Sequence, residues 1–447
     1  METVLLVTVD SLRADRVGYH GYDRETTPYL DSLADRGSTF SNAFAHVGAT
    51  EYAFPSILSS VTPLMHGGPE TVAPTQTLVS EVFRAAGYLT AGFHSNLYLS
   101  ADRGYDRGFD TFFDSTADPS LAARCRTYAR RPLDGTPAYP LLERAYDLAE
   151  SAGGVNVGSF HVPGDELTDR ATAWLESPAR ETPVFLWVHY MDVHHPYLPP
   201  PEYQRLFRER AVEKRAAVRL RRKLLEAPGD VTDAERETLR DLYDAEVRFT
   251  DTQIRRLVET ARDRPGDSLT VVTADHGEHL LERGYFSDAT PYDVKLHVPL
   301  LVEGWDDEWE YDDLVGLCDV PPTLLDVAGL DVPSGYCGGS LRNVVEGDWN
   351  RTAVRGGWNP EDPRYLYRSR DWKFVERVGD RPDELYDLGA DPDERDNVVD
   401  EYPDRARRLR RDLDRHRREV RATDTEIEDV RFDERARRRL RRLGYRE

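Results

Sequence analysis

Lysine is nearly missing from this chain: of 59 basic residues only Lys214, Lys223, Lys295 and Lys373 are lysines, and the rest are arginines. Against them stand 82 Asp and Glu, giving a formal charge of -23. A field of that sign disfavours nucleic acid as a main partner, because phosphate binding wants a basic surface. An acidic, lysine-poor surface suits a protein working in concentrated salt, where carboxylates hold water and net charge opposes precipitation. An ordinary acidic enzyme whose codon usage favours arginine would share the composition. Cysteine is also scarce. Cys125, Cys318 and Cys337 form an odd set at unrelated spacings, with neither a C-x-x-C pair nor a metal-site pattern, and they read as buried, reduced thiols.

Long apolar runs are absent as well. The longest fragments, such as "VPLLV" and "VFLWV", fall far short of the roughly 20 residues that cross a bilayer. The opening "METVLLVTVDSLRAD" lacks a charged segment followed by a long apolar stretch, so it does not read as a signal peptide. The expectation is a soluble, cytoplasmic protein with no membrane span.

What is present is a series of short β-formers: "TVLLVTV" at 3–9, "TAGFHS" at 90–95, "PVFLWVHY" at 183–190, "SLTVVTA" at 268–274 and "VPLLVEG" at 298–304. Near-continuous apolar runs of this length suit strands covered on both faces. Between them, "TPYLDSLADRG", "TLVSEVFRAAGY" and "AEVRFTDTQIRRLVETARD" carry apolar positions at helical spacing. At 447 residues, such alternation predicts one large α/β domain, over 1–340, with a mostly parallel sheet between helices. From about 341 the pattern changes to "RYLYRSRDWKFVERV" and "DELYDLGADPDERDNVV", which predicts a small C-terminal α+β subdomain over 341–447. Leu409, Leu413, Val420, Leu440 and Leu443 punctuate its charged tail and predict helices docking on the main domain. Residues 115–165 and the charged stretch 202–240 read as insertions over or beside the sheet rim.

In sheets of this kind ligands sit beyond the carboxyl ends of the strands. The polar clusters fall there: Asp10 follows the first run, His189, Asp192, His194 and His195 follow "PVFLW", and Asp275 with His276, Glu278 and His279 follow "SLTVVTA". Three strands deliver acids and imidazoles to one rim. That chemistry suits a divalent cation and proton transfer.

The blocks "LLVTVDSLRADRVGYHGYDRETTPYLDSLADRGSTFSNAFA", "VFLWVHYMDVHHPYLPP", "YDAEVRFTDTQIRRLVE", "LTVVTADHGEHLLERGYF", "PPTLLDVAGLDVP" and "DELYDLGADPDERDNVV" resemble, in order and spacing, the sulfatase family of the alkaline phosphatase superfamily. The resemblance covers nearly the whole chain. It implies an alkaline phosphatase-like α/β fold and a metal-dependent hydrolase or transferase of sulfate or phosphate esters. It places Asp10, Asp275 and His276 at metal positions, and His194 at the histidine that reaches the transferred group or the leaving oxygen, with His189 and Asp192 orienting it. His189, Lys295 and His297 become candidates for substrate binding, and Arg13 for packing and charge balance near Asp10.

The chain departs from the family at telling positions. Ser11 stands where a second acid is common, and Asp288 lies near the place of a missing histidine. Fewer carboxylates and an imidazole favour Mn²⁺, Zn²⁺ or Mg²⁺ over a purely oxygen-bound Ca²⁺ for the one expected metal ion. Sulfatases convert a Cys or Ser of C/S-x-P-x-R to formylglycine. Here "GATEYAFPSILSS" puts Thr50 in that position, either as a nucleophile or as a helix N-cap, with Glu51, Tyr52, Ala53 and Phe54 replacing the rest of the motif. No cysteine lies in this segment. The expected partner is a small-molecule or glycan ester, and the alternative is a non-catalytic protein of the same fold that binds an anionic glycan.

Overall fold

In a computed structural model, residues 1–66, 71–114, 161–177, 179, 181–305, 307–357 and 363–421 are described. Their strands are β1 (Thr3–Val9), β2 (Ser38–Phe44), β3 (Leu89–Phe93), β4 (Thr111–Phe113), β5 (Val184–Tyr190), β6 (Ser268–Ala274), β7 (Leu300–Glu303) and β8 (Glu310–Gly316). They form one eight-stranded sheet in the order β4-β3-β5-β1-β6-β7-β2-β8. Neighbours run parallel except at β7, which is antiparallel to both β6 and β2. β1 and β5 are buried at every position, which is why their sequences read as unbroken apolar runs rather than alternating ones.

Helices α1 (Pro28–Ala34), α2 (Thr50–Ser59), α3 (Val79–Ala85), α4 (Gly164–Glu176), α5 (Lys214–Glu226), α6 (Asp233–Arg262), α7 (Asp293–Leu296) and α8 (Val320–Val327) accompany the sheet. The longest, α6, starts at a capping box: Thr232 Oγ1 accepts from the Glu235 N–H, and Glu235 Oε2 accepts from the Thr232 N–H at 2.8 Å. Its Leu239, Leu242, Tyr243, Ile254 and Leu257 are buried in the core shared with β1. From α6, Asp251 accepts the Tyr29 and Leu30 amides at 3.0 and 2.9 Å, satisfying the first turn of α1.

Register decides where the chemistry falls. Val9 pairs with Tyr190 on one side and with Ala274 on the other, so β1, β5 and β6 end level. Asp10, Met191 and Asp275 therefore leave the sheet side by side. Reversed strand β7 starts at this same rim, which brings α7 and Lys295 to it from the other direction.

β9 (Val354–Gly356), β10 (Arg364–Arg368), β11 (Trp372–Arg377) and β12 (Glu384–Asp387) form the small antiparallel sheet, ordered β12-β11-β10-β9. Helix α9 (Pro403–Arg421) lays Ala406, Leu409 and Leu413 against Tyr365, Phe374 and Leu385, so the tail packs chiefly on its own small sheet, with Leu64 the main-domain member of that cluster, rather than on the main domain as expected. Leu341 and Val344 still belong to the main core, and the small sheet proper begins at Val354. Leu440, Leu443, Cys125 and most of the 115–165 insertion lie outside the described residues. Cys318 is buried as expected, but Cys337 is exposed because its loop, after α8, runs along the surface. No helix among the described residues is long and apolar enough to cross a membrane. Of the four lysines, Lys295 and Lys373 are buried, leaving only Lys214 and Lys223 toward solvent.

Candidate active site

Thr50 is the first residue of α2, and Ala49 takes the N-cap position with an extended backbone, so the threonine hydroxyl is not spent on capping. It points into the cluster at the strand ends. Its Oγ1 lies 2.8 Å from Asp275 Oδ2, 3.3 Å from Asp10 Oδ2 and 3.2 Å from His276 Nε2. His276 Nδ1 donates to the Gly277 carbonyl at 2.8 Å, which leaves Nε2 with a lone pair. Burial and the Lys295 ammonium push the His276 pKa down to about 3, so the ring is neutral. One hydroxyl proton thus serves three acceptors. All four groups are buried, with Asp10 and Asp275 fully so.

An excess of lone pairs at one point is the arrangement a cation resolves. The ligand atoms of Asp10, Asp275 and His276 lie within 4.8 Å of one another. Two carboxylates and a neutral imidazole would balance a divalent ion, and the mixed oxygen and nitrogen set fits Mn²⁺, Mg²⁺ or Zn²⁺. Burial and the charge of Asp10 push the Asp275 carboxyl well above its ordinary range, as two facing buried acids must.

The carboxylates are held from outside. Ser11 has a left-handed backbone, φ 63°, uncommon for a residue with a side chain. In that conformation its Oγ donates to Asp10 Oδ1 at 2.7 Å and its N–H to Asp275 Oδ1 at 3.2 Å. Tyr243 of α6 fixes the turn by donating to the Ser11 carbonyl at 2.8 Å. At the position where a second acid is common, a serine therefore aligns the first. Asn96, just beyond β3, donates from Nδ2 to Asp10 Oδ2 at 3.2 Å. It escaped the sequence reading, although a polar residue directly after a strand at this rim is the available signal.

Beside this cluster lies a second, of His194, His195 and Glu278, with ligand atoms also within 4.8 Å. Cations already occupy its edges. Lys295 Nζ is 3.3 Å from Glu278 Oε1 and 3.4 Å from His276 Nδ1, and Arg221 of α5 donates from Nε to His195 Nδ1 at 3.2 Å. His195 Nε2 then donates to Ser287 Oγ at 2.7 Å, so both ring nitrogens are engaged. Burial, His194 and Arg221 hold the His195 pKa well below the usual imidazole value. A lysine and an arginine at its edges make this flank less suited to a second metal than the first cluster. The 202–240 stretch thus reaches the rim through Arg221.

Lys295 is held by the C-terminal sheet. Asp293, at the start of α7, pairs with Lys373 at 2.5 Å and Arg368 at 2.9 Å, and its N–H donates to Glu394 Oε2 at 2.6 Å. Other expected site residues fall elsewhere. His189 is buried against Phe54 and Trp187, with Nε2 3.6 Å from Asp10 Oδ2 and Nδ1 3.0 Å from Thr8 Oγ1, so it braces Asp10 rather than facing a substrate. His297 stacks on Phe44 and bonds the Ser41 carbonyl at 2.8 Å, because the chain has already turned toward β7 two residues after Lys295. Asp192 accepts the Gly164 N–H at the start of α4, and His194 is instead oriented through its Nδ1, 2.7 Å from the His195 carbonyl. Arg13 pairs with Asp15 at 2.7 Å and Glu282 at 2.5 Å, tying down the loop after β6 rather than balancing Asp10.

Fold and site together define an α/β protein with an acid–imidazole centre at the carboxyl ends of its strands. The chain belongs to the sulfatase family: the Sulfatase family model matches residues 2–330, and the model for the C-terminal region of N-sulphoglucosamine sulphohydrolase matches 278–422. It is 23% identical to Arylsulfatase K of Canis lupus familiaris, over 90% of this chain and 79% of that protein. It is also 23% identical to an arylsulfatase of Clostridium perfringens, over 92% and 93%. Among solved structures, one in complex with its substrate D-glucosamine-2-N,6-O-disulfate matches at TM-score 0.72 and 18% identity, covering 95% of this chain and 99% of that one. The phosphonate monoester hydrolase of Agrobacterium radiobacter matches at TM-score 0.70 and 19% identity, covering 94% and 96%.

Proposed function

We propose that this protein is a metal-dependent hydrolase or transferase of sulfate or phosphate esters, acting on a glycan or other small anionic ester, with Thr50 as the attacking group and a phosphorus ester as the better substrate. The observation that carries the reading is the convergence of Asp10, Asp275 and His276 on Thr50 Oγ1. A divalent cation held there would draw in an ester oxygen, lower the hydroxyl pKa and neutralise charge that develops in transfer.

The chain's own groups do the rest. Thr50 holds its proton on Asp275 Oδ2, leaving an oxygen lone pair directed away from the carboxylate. Its place in the first turn of a ten-residue helix adds the positive end of the helix dipole. Lys295, with Arg221 behind His195, counters the substrate's charge. His194, fixed through Nδ1, delivers a proton from Nε2 to the leaving oxygen. As the Oγ1–P bond forms, the P–O bond to the leaving group breaks. Water, or an acceptor hydroxyl in a transferase, then attacks phosphorus and returns Thr50.

The preference for phosphorus rests on Thr50 itself. A phospho-threonine is hydrolysed by water at phosphorus, whereas a sulfo-threonine lacks the self-cleaving route that formylglycine provides. The test is a panel of aryl sulfate, phosphate monoester, phosphodiester and phosphonate substrates, run in molar KCl with Mn²⁺, Mg²⁺, Ca²⁺ or Zn²⁺. Turnover of a phosphorus ester that depends on metal is expected. A metal-free native protein without turnover, retaining affinity for anionic glycans, would overturn the reading in favour of a binding protein.

A further inference from the structure

Away from the rim, the far end of α2 meets two cysteines. The Cys337 N–H donates to the Ser60 carbonyl at 2.9 Å, and the Gly338 N–H donates to Ser60 Oγ, also at 2.9 Å. Ser60 Oγ in turn donates to the Cys318 carbonyl at 2.6 Å. The chain at 337–338 is pressed onto Cys318 so closely that a Cβ on Gly338 would lie 2.0 Å from that carbonyl oxygen. Only glycine lets the two segments approach this far. Each thiol perturbs the other's protonation, Cys318 downward and Cys337 upward. Cys318 is a buried residue and Cys337 an exposed one, so the pair lies at the surface end of this packing.

We propose that Cys318 and Cys337 are a dithiol that closes to a disulfide by exchange with a small-molecule disulfide, a modification site separate from the ester chemistry. The surroundings favour thiolate at the inner sulfur. The Cys337 thiol, His46 and Arg351 hold the Cys318 pKa well below its ordinary value, with burial opposing them. Arg351 NH1 is 3.9 Å from Cys318 Sγ. His46 donates from Nδ1 to the Arg355 carbonyl at 2.8 Å.

The exchange balances as follows. Cys337 passes its thiol proton to Cys318, and its sulfur attacks one sulfur of the small disulfide. That bond breaks, one small thiolate leaves, and a mixed disulfide remains on Cys337. Cys318, losing its proton to solvent, then attacks Cys337 Sγ and expels the second small thiolate. One protein thiolate and one protein thiol are oxidised, and the small disulfide is reduced to two thiols that take up the one proton released and a second from solvent.

The link would tie the segment after α8 to the left-handed residue that ends α2, Ser60, whose φ is 52°. Oxidised glutathione, applied to the reduced full chain in molar KCl, tests this by intact mass, peptide mapping and melting temperature. The expected result is a mass loss of about 2 Da, a linked peptide pair containing Cys318 and Cys337, and a rise in Tm of about 3 °C that dithiothreitol reverses. Cys125→Ser should behave the same, and Cys337→Ser should neither lose the mass nor give the linked pair. A glutathione adduct that persists on Cys337, a link through Cys125, or no reaction in wild type and Cys125→Ser would overturn the proposal.

Discussion

Replacing Asp275 with asparagine is expected to stabilise the metal-free protein while abolishing its response to a divalent cation. The carboxylates of Asp10 and Asp275 are fully buried and have ligand atoms within 4.8 Å of each other. Two unit charges at that distance repel by about 3.5 kcal/mol at an effective dielectric near 20. Proton uptake by Asp275 relieves part of this repulsion. Asparagine keeps Oδ1 for the Ser11 and His276 amides, and its Nδ2 can donate to Thr50 Oγ1, so local geometry survives. For a cooperative unit of 447 residues, 1 kcal/mol moves Tm by about 1 °C. Metal-free Asp275→Asn should therefore melt up to about 3 °C above metal-free wild type. At a hundredfold excess over its Kd, Mn²⁺ should add about 2.7 kcal/mol to wild type and little to the variant. Calorimetry in fixed molar KCl, with bound metal measured on the same samples, reads both effects. A variant with the wild-type metal shift, or one less stable than wild type without metal, would refute the assignment of Asp275 as a ligand.

Lys295→Met should lower kcat/KM by about 100-fold with metal content unchanged, because it removes a fixed charge beside the transferred group; an unaltered kcat/KM would remove Lys295 from the site. Asp192 bears on pH. Burial pushes its pKa up to about 7 from an ordinary 3.8, so the folded state binds the extra proton between those values and stability falls as pH rises through them. Asp192→Asn should lack this loss, which reaches about 1.4 kcal/mol per pH unit in denaturant melts; parallel wild-type and variant profiles from pH 5 to 8 would contradict it. With a charge of -23 and two lysines toward solvent, Tm should rise with KCl up to molar concentrations, where the screening length falls to about 3 Å. A Tm insensitive to KCl would count against a salt-adapted surface.

The centre of the fold was legible because burial writes itself into composition. The apolar runs at 3–9, 183–190 and 268–274 coincide with β1, β5 and β6 to within a residue. Their level ends explain why Asp10, Asp275 and His276 could be read as neighbours. β2, "STFSNAF", and the edge strand β8, "EYDDLVG", were not legible, since polar and acidic residues leave no apolar run. The reversal of β7 is a property of pairing that no local pattern carries. It separates Lys295, which reaches the site, from His297, two residues on, which does not. Asn96 and Arg221 were missed for a related reason: their roles come from a neighbouring strand end and from an inserted helix, contacts far apart in sequence.

The account turns on Thr50 as the nucleophile. Its most direct test is kcat/KM of Thr50→Ala, with Thr50→Ser beside it, on the best phosphorus ester at saturating Mn²⁺ with bound metal quantified. The account predicts that Thr50→Ser keeps much of the activity, and that Thr50→Ala loses about 1,000-fold or more while still binding metal. A Thr50→Ala protein that turns over at the wild-type rate would contradict it.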